Sequence, residues 1–258
     1  MAKSNHYYIR KSHRWLGLLL GIQFLFWTIG GVYFSWSNID EVHGDPMKKQ
    51  TPLIPSTIPL ISPSFVLNAI KQSHQFDSLI SIQLVDVLGI TYYQIRGTNT
   101  HNIQAGHQHK PQVLTFLANA STGQLRGQLT KAEAIQVSKR VFNGSPIVTS
   151  VTYLTSTDNH HEYRESPLPA YAVSFKHPTH TTVYVSIELG TVQKFRNNRW
   201  RTFDFLWMLH TMDYESRDNF GNWLLRGFSM LGLVTILSGF LLFMYSSRSF
   251  KKWVRFIN

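Results

Sequence analysis

Residues 203–245 read FDFLWMLHTMDYESRDNFGN and then WLLRGFSMLGLVTILSGFLLFMY. The two halves of this stretch differ in kind, and the difference decides the fold. The second half, 223–245, is an apolar run whose one charged residue is Arg226. Its length at about 1.5 Å per residue makes a helix of roughly 34 Å, enough to cross a hydrocarbon core of about 30 Å. In the first half Phe203, Leu206, Trp207, His210 and Tyr214 fall at i, i+3, i+4, i+7 and i+11, which is one face of a helix. This predicts an amphipathic helix over 201–221 lying at a membrane interface, with His210 facing headgroups or a partner helix. His210 then has two readings: an interfacial polar residue tied to a nearby carbonyl, or a ligand.

A second apolar run, LGLLLGIQFLFWTIGGVYFSW at 16–36, follows a basic start. No small-x-small cleavage site follows it, so an uncleaved anchor is expected. Gly17 and Gly21, and Thr235 and Gly239, have the small-xxx-small spacing that lets helices approach closely. The formal charge is +11, and residues 1–14 (Lys3, Arg10, Lys11, Arg14) and 246–258 (Arg248, Lys251, Lys252, Arg255) supply eight positive charges with no acid. Basicity concentrated beside two apolar runs is topological, not a groove for nucleic acid. It places both tails in the cytoplasm and residues 37–200 outside the membrane. The chain has no cysteine, which excludes disulfides, cysteine nucleophiles, iron–sulfur clusters and thioether-attached haem. There is also no GxSxG, HExxH or phosphate-binding glycine loop, so no hydrolase is expected and no catalytic residue is assigned.

Between the two runs the pattern is stated twice. Residues 46–64 hold five prolines and read as an extended linker. Helical patterns at 65–73 and 131–142 each precede alternating strand patterns. TYYQIR at 91–96 answers AYAVSF at 170–175, and VLTFLANASTGQL at 113–125 answers TVYVSIELGTVQ at 182–193. The expected fold is an α+β membrane protein, a two-helix transmembrane hairpin with a duplicated helix-plus-antiparallel-meander domain outside the membrane. The expected partition is a basic tail (1–15), a first span (16–36), a proline-rich linker (37–63), two repeats (64–130 and 131–200), an interfacial helix (201–221), a second span (222–246) and a basic tail (247–258).

The repeat, with its closing strand–turn–Gly–x–hydrophobic pattern, resembles the PepSY domain. HRWLGLLLG at 13–21 with DFLWMLHTMDYESRDNFGN at 204–222 resembles the PepSY-associated transmembrane family, and the resemblance covers nearly the whole chain. Larger members of that group have four or more spans. Some bind b-type haem through histidines and reduce iron in siderophores, and others are fused to flavin reductase modules; this chain has two spans and no flavin domain. The resemblance implies haem b held by His13 and His210, with Gly17 leaving room for a flat porphyrin and Arg226 either snorkelling or pairing with a propionate or Asp213.

The topology puts His13 at the cytoplasmic face and His210 at the outer face, so they cannot share one iron. A homodimer would pair each histidine with its counterpart. Alternatively Met244 approaches His13, and Met208, Met212 or Met230 approaches His210. The other reading of His13 is a juxtamembrane residue among basic neighbours. His43, His74, His101, His107, His109, His160, His161, His177 and His180 lie outside the membrane, as metal-binding clusters (HQH, HH, HPTH) or as solvated loops.

The leading expectation is a bacterial inner-membrane oxidoreductase component that moves electrons outward from a cytoplasmic flavin or quinol donor, for reduction of ferric chelates. The competing expectation is a non-catalytic, membrane-tethered PepSY module that binds a transporter, peptidase or envelope protein.

Overall fold

A computed structural model describes residues 5–50, 52–73, 77–99 and 112–247. It is a mixed α+β protein with two antiparallel sheets and two long apolar helices, and it divides into two compact units. Of the basic residues at the ends, Lys3, Arg248, Lys251, Lys252 and Arg255 lie outside the described residues.

The first unit holds helices α1 (Asn5–Trp36) and α6 (Trp223–Ser246), each long and apolar enough to cross a membrane. Helix α1 starts well before the apolar run because Arg10, Lys11 and Arg14 are themselves good helix formers. The two helices are antiparallel, since His13 meets Ser238 while Phe24 meets Gly232. Helix α6 supplies the small residues of this contact and α1 the large ones. A Cβ at Gly232 would lie 3.2 Å from the Phe24 ring, and one at Gly239 3.3 Å from His13 Cε1. Gly17 and Gly21 have nothing within 4 Å of an added Cβ, so the α1 small-residue pair faces away from α6.

The second unit, Asn38–Arg201, repeats one plan. Helix α3 (Pro63–Ser73) precedes strands β1 (Ser78–Val87), β2 (Ile90–Asn99), β3 (Gln112–Asn119) and β4 (Leu125–Arg126), paired in chain order. Helix α4 (Lys131–Val141) precedes β5 (Ile147–Leu154), β6 (Ala170–Lys176), β7 (Thr182–Ser186) and β8 (Val192–Arg196), again in chain order. Helix α4 begins with a capping box, in which the Thr130 hydroxyl accepts from Glu133 N and the Glu133 carboxylate accepts from Thr130 N at 2.8 Å. That backbone bond, with Arg126 nearby, outweighs partial desolvation and holds the Glu133 carboxyl below its usual pKa.

Successive residues of a strand face opposite sides, and β2 uses both. Tyr93 and Ile95 join Val66 and Ile70 of α3 in one core. Tyr92 joins a second core with Ala134 and Val137 of α4 and Val173 and Val183 of the second sheet. The two halves interlock there. Gly190, in the β7–β8 turn at φ +72°, sits so close to Leu117 and Val87 that a Cβ would lie 2.9 and 3.0 Å from them. The Gln94 amide donates to Leu189 O at 2.7 Å, and Leu129 N donates to Ile187 O at 3.0 Å.

The proline-rich stretch differs from the extended linker expected. It contains α2 (Ile39–His43) and a 3₁₀ turn at Asp45–Met47, and it is fastened to the domain at Lys49 and at Ile61. Lys49 N donates to Val141 O, Ile61 N donates to Ala120 O, and the Tyr93 hydroxyl donates to Ile61 O. Proline sets the dihedrals, while the N–H groups of Lys49 and Ile61 find partners on the domain.

Candidate functional site

Helix α5 (Asn198–Thr211) carries His210. It ends ten residues short of the expected limit at 221, because Met212 takes the left-handed conformation (φ 53°) and the chain turns. Tyr214 therefore lies beyond the helix and is exposed, and it does not extend the face of Phe203, Trp207 and His210. That face packs on α1. Phe203 lies 4.7 Å from Phe34, and the His210 ring lies 5.7 Å from Trp27, 5.9 Å from Phe34 and 6.4 Å from Trp207, centroid to centroid. An added Cβ at Gly30 would lie 3.9 Å from Leu206 O, an ordinary contact distance. Gln23, buried within the apolar run of α1, donates to Leu209 O at 2.7 Å and satisfies one of the orphan carbonyls of the last turn of α5. His210 Nδ1 and Trp27 Nε1 are both buried with no hydrogen-bond partner among the described residues.

Residues 212–222 form a polar knot. The Asp213 carboxylate accepts from Ser216 N and Oγ, Glu215 N and Asn219 N. Burial alone would push its pKa up, but the bonds from Ser216, Asn219 and Glu215 outweigh it and hold the group at about 2. Asp204 of α5 is ion-paired with Arg217, and both side chains are largely buried. Asn222 caps α6 by accepting from Leu225 N at 2.7 Å, and its amide donates to Thr211 O at 3.0 Å. The residues that make 204–222 distinctive thus bond chiefly to one another. Arg226 is exposed and makes no ion pair among the described residues; Asp213 is occupied by its own loop.

His13 lies against α6, its Nδ1 2.7 Å from Ser238 Oγ. The Ser238 hydroxyl donates to Thr235 O at 2.7 Å, so its single proton is used and His13 Nδ1–H donates to Oγ. Nε2 then carries the lone pair. The glycine that accommodates the flat ring is Gly239; Gly17 borders open space. Trp27 and Phe34, which contact His210, lie about 21 and 31 Å along α1 from His13. Among the described side chains, one histidine thus lies at each end of the helix pair, and each ring is packed by its own neighbours. The described side chains of one chain do not complete the two axial positions of a bis-histidine haem at either end.

Among the outer histidines, His74, His101, His107 and His109 lie outside the described residues. His161 Nδ1 accepts from Tyr163 N, His177 Nδ1 from Thr179 N, and His180 Nδ1 from the Asn198 amide, each a local bond. His43 ends α2 in the open, and His160 N is held by Asp158. Among the described residues no three His, Cys, Asp or Glu side chains converge as a metal-holding group. Sequence patterns missed Gln23, Ser238 and the Asp204–Arg217 pair. A glutamine inside an apolar run was the one available signal.

Fold and site together define a mixed α+β protein with two antiparallel sheets and two apolar helices of spanning length. No family model, curated protein or solved structure matches the chain.

Proposed function

We propose that the chain is a membrane-anchored binding module of the bacterial cytoplasmic membrane, with both termini inside and a duplicated PepSY-like domain outside. One observation carries the reading: the helix pair uses its polar side chains to hold itself together, while the folded domain carries open sheet edges. Only 17% and 6% of the most apolar windows of α1 and α6 are buried, so the rest needs lipid or a partner helix. Photocross-linkers placed in turn across the exposed surface of 38–201, in intact membranes, test the module. Defined adducts to an envelope protein or transporter are expected, and their absence from every position would sink the reading.

A haem-binding, electron-transferring component is the second reading, favoured by the His13 tautomer. A histidine that donates Nδ1–H and keeps the Nε2 lone pair is set up as a metal ligand. Two chains, meeting through the open Gly17–Gly21 face, would bring His13 to its counterpart at one end and His210 to its counterpart at the other. When bound, haem would supply one-electron chemistry. A dithionite difference spectrum of protein made with ample haem decides it. A flat spectrum would leave the binding module alone.

A further inference from the structure

We propose that β5 is a docking edge for an extended peptide segment that carries acidic residues at its C-terminal end. The inference rests on the binding-module reading and names the kind of partner. Strand β5 is an outer strand, paired only with β6 among the described residues. Its sequence, IVTSVTYL, contains no lysine, proline or other charged residue of the kind that blunts natural sheet edges. The one interruption is a bulge between Val148 and Ser150, where the Thr149 hydroxyl turns inward to Ser174 O at 3.1 Å. Beyond the bulge, 150–154 is regular, and its outward backbone groups have no strand partner among the described residues. A free row of N–H and C=O groups is what β-augmentation uses.

The start of the strand adds a charge. Lys49, Lys139 and Arg140 line an open groove that continues along 144–148 and includes no carboxylate. Arg140 is partly neutralised by Asp86 at 3.2 Å, while Lys49 and Lys139 are exposed and make no ion pair among the described residues. Lys49 is held in place because its backbone N–H is bonded to Val141 O. An incoming strand antiparallel to β5, as every pair in this sheet is, brings its C-terminal end to these cations. Side chains of the incoming strand meet Ser150 and Thr152 on one side. On the other they meet Val151 and the Tyr153–Tyr171 ring pair, whose centroids are 5.2 Å apart. The edge therefore favours a segment that alternates small polar with β-branched residues and ends in carboxylates.

The test uses the full chain in detergent micelles and a fluorescent peptide of alternating valine and threonine ending in two glutamates. Anisotropy should show saturable binding. Lys49→Glu with Lys139→Glu, both at exposed positions, should weaken it about tenfold. The same peptide with alternate backbone amides methylated should not bind, because the ladder donors are gone. Equal binding of a version ending in two lysines, undiminished binding of the methylated peptide, or no binding at millimolar concentration would each overturn the proposal. So would a dimer that forms through β5 and ignores the charge reversal. Cross-links from other surfaces with no peptide binding here would leave the module reading standing and remove this edge from it.

Discussion

At the residue scale, Asp213 and the Asp204–Arg217 pair hold the connection between α5 and α6. Asp213→Asn cannot accept at both oxygens, and the cost expected is about 2 kcal/mol of the stability of the helical unit. Thermal unfolding in detergent and faster proteolysis within 212–222 would show it. Because the folded carboxyl titrates at about 2, below its ordinary 3.8, the stability it provides is fully present above that ordinary value. It is lost as the pH falls from near 4 toward 2, and Asp213→Asn should abolish that part of the acid sensitivity. Asp204→Ala strands a largely buried guanidinium and should cost about 3 kcal/mol or more. None of these partners was legible in sequence. Spacing along a chain identifies a helix face, but 204–222 earns its composition from bonds that close only when the loop folds back.

At the element scale, two glycines make sharp tests. Gly190→Ala meets both a left-handed φ and side chains about 3 Å away, so a loss of about 2–4 kcal/mol in the domain is expected. A shift in its unfolding midpoint would report it. Gly239→Leu should unseat His13 and part α1 from α6. The chain has no cysteine, so engineered cysteines at 24 and 232 would measure this cleanly through lost cross-linking with a short bismaleimide. Small-residue spacing in the sequence flagged Gly17 and Gly21 as well as Gly239, and spacing alone cannot say which of them faces a neighbour. The α5 face of Phe203, Trp207 and His210 was legible from periodicity. Its end was not, because Met212 gives no composition signal for a left-handed turn.

At the scale of the whole molecule, two apolar helices and two antiparallel sheets were readable. Long apolar runs and alternating strands depend on local composition. The loop between β5 and β6 was not readable: Tyr163, fully buried, stacks on Tyr184 at 4.7 Å, and Glu162 makes a two-pronged pair with Arg201. Such a loop looks solvated until the sheet beneath it exists. The eight positive charges of the tails lead to a topology test. A reporter active only outside the cytoplasm should work when inserted after residue 102 and fail when fused after 258. The reverse outcome would exchange the two sides of the membrane.

The seat of Gly190 against Leu117 and Val87 bears on how the protein is made. The N-terminal repeat leaves the ribosome first, yet one side of its sheet is covered by a turn that arrives much later. Until residue 190 emerges, Val87 and Leu117 have no cover from that turn. Biosynthesis therefore includes an interval in which half a domain waits for its other half, open to aggregation and to any chaperone that guards nascent chains.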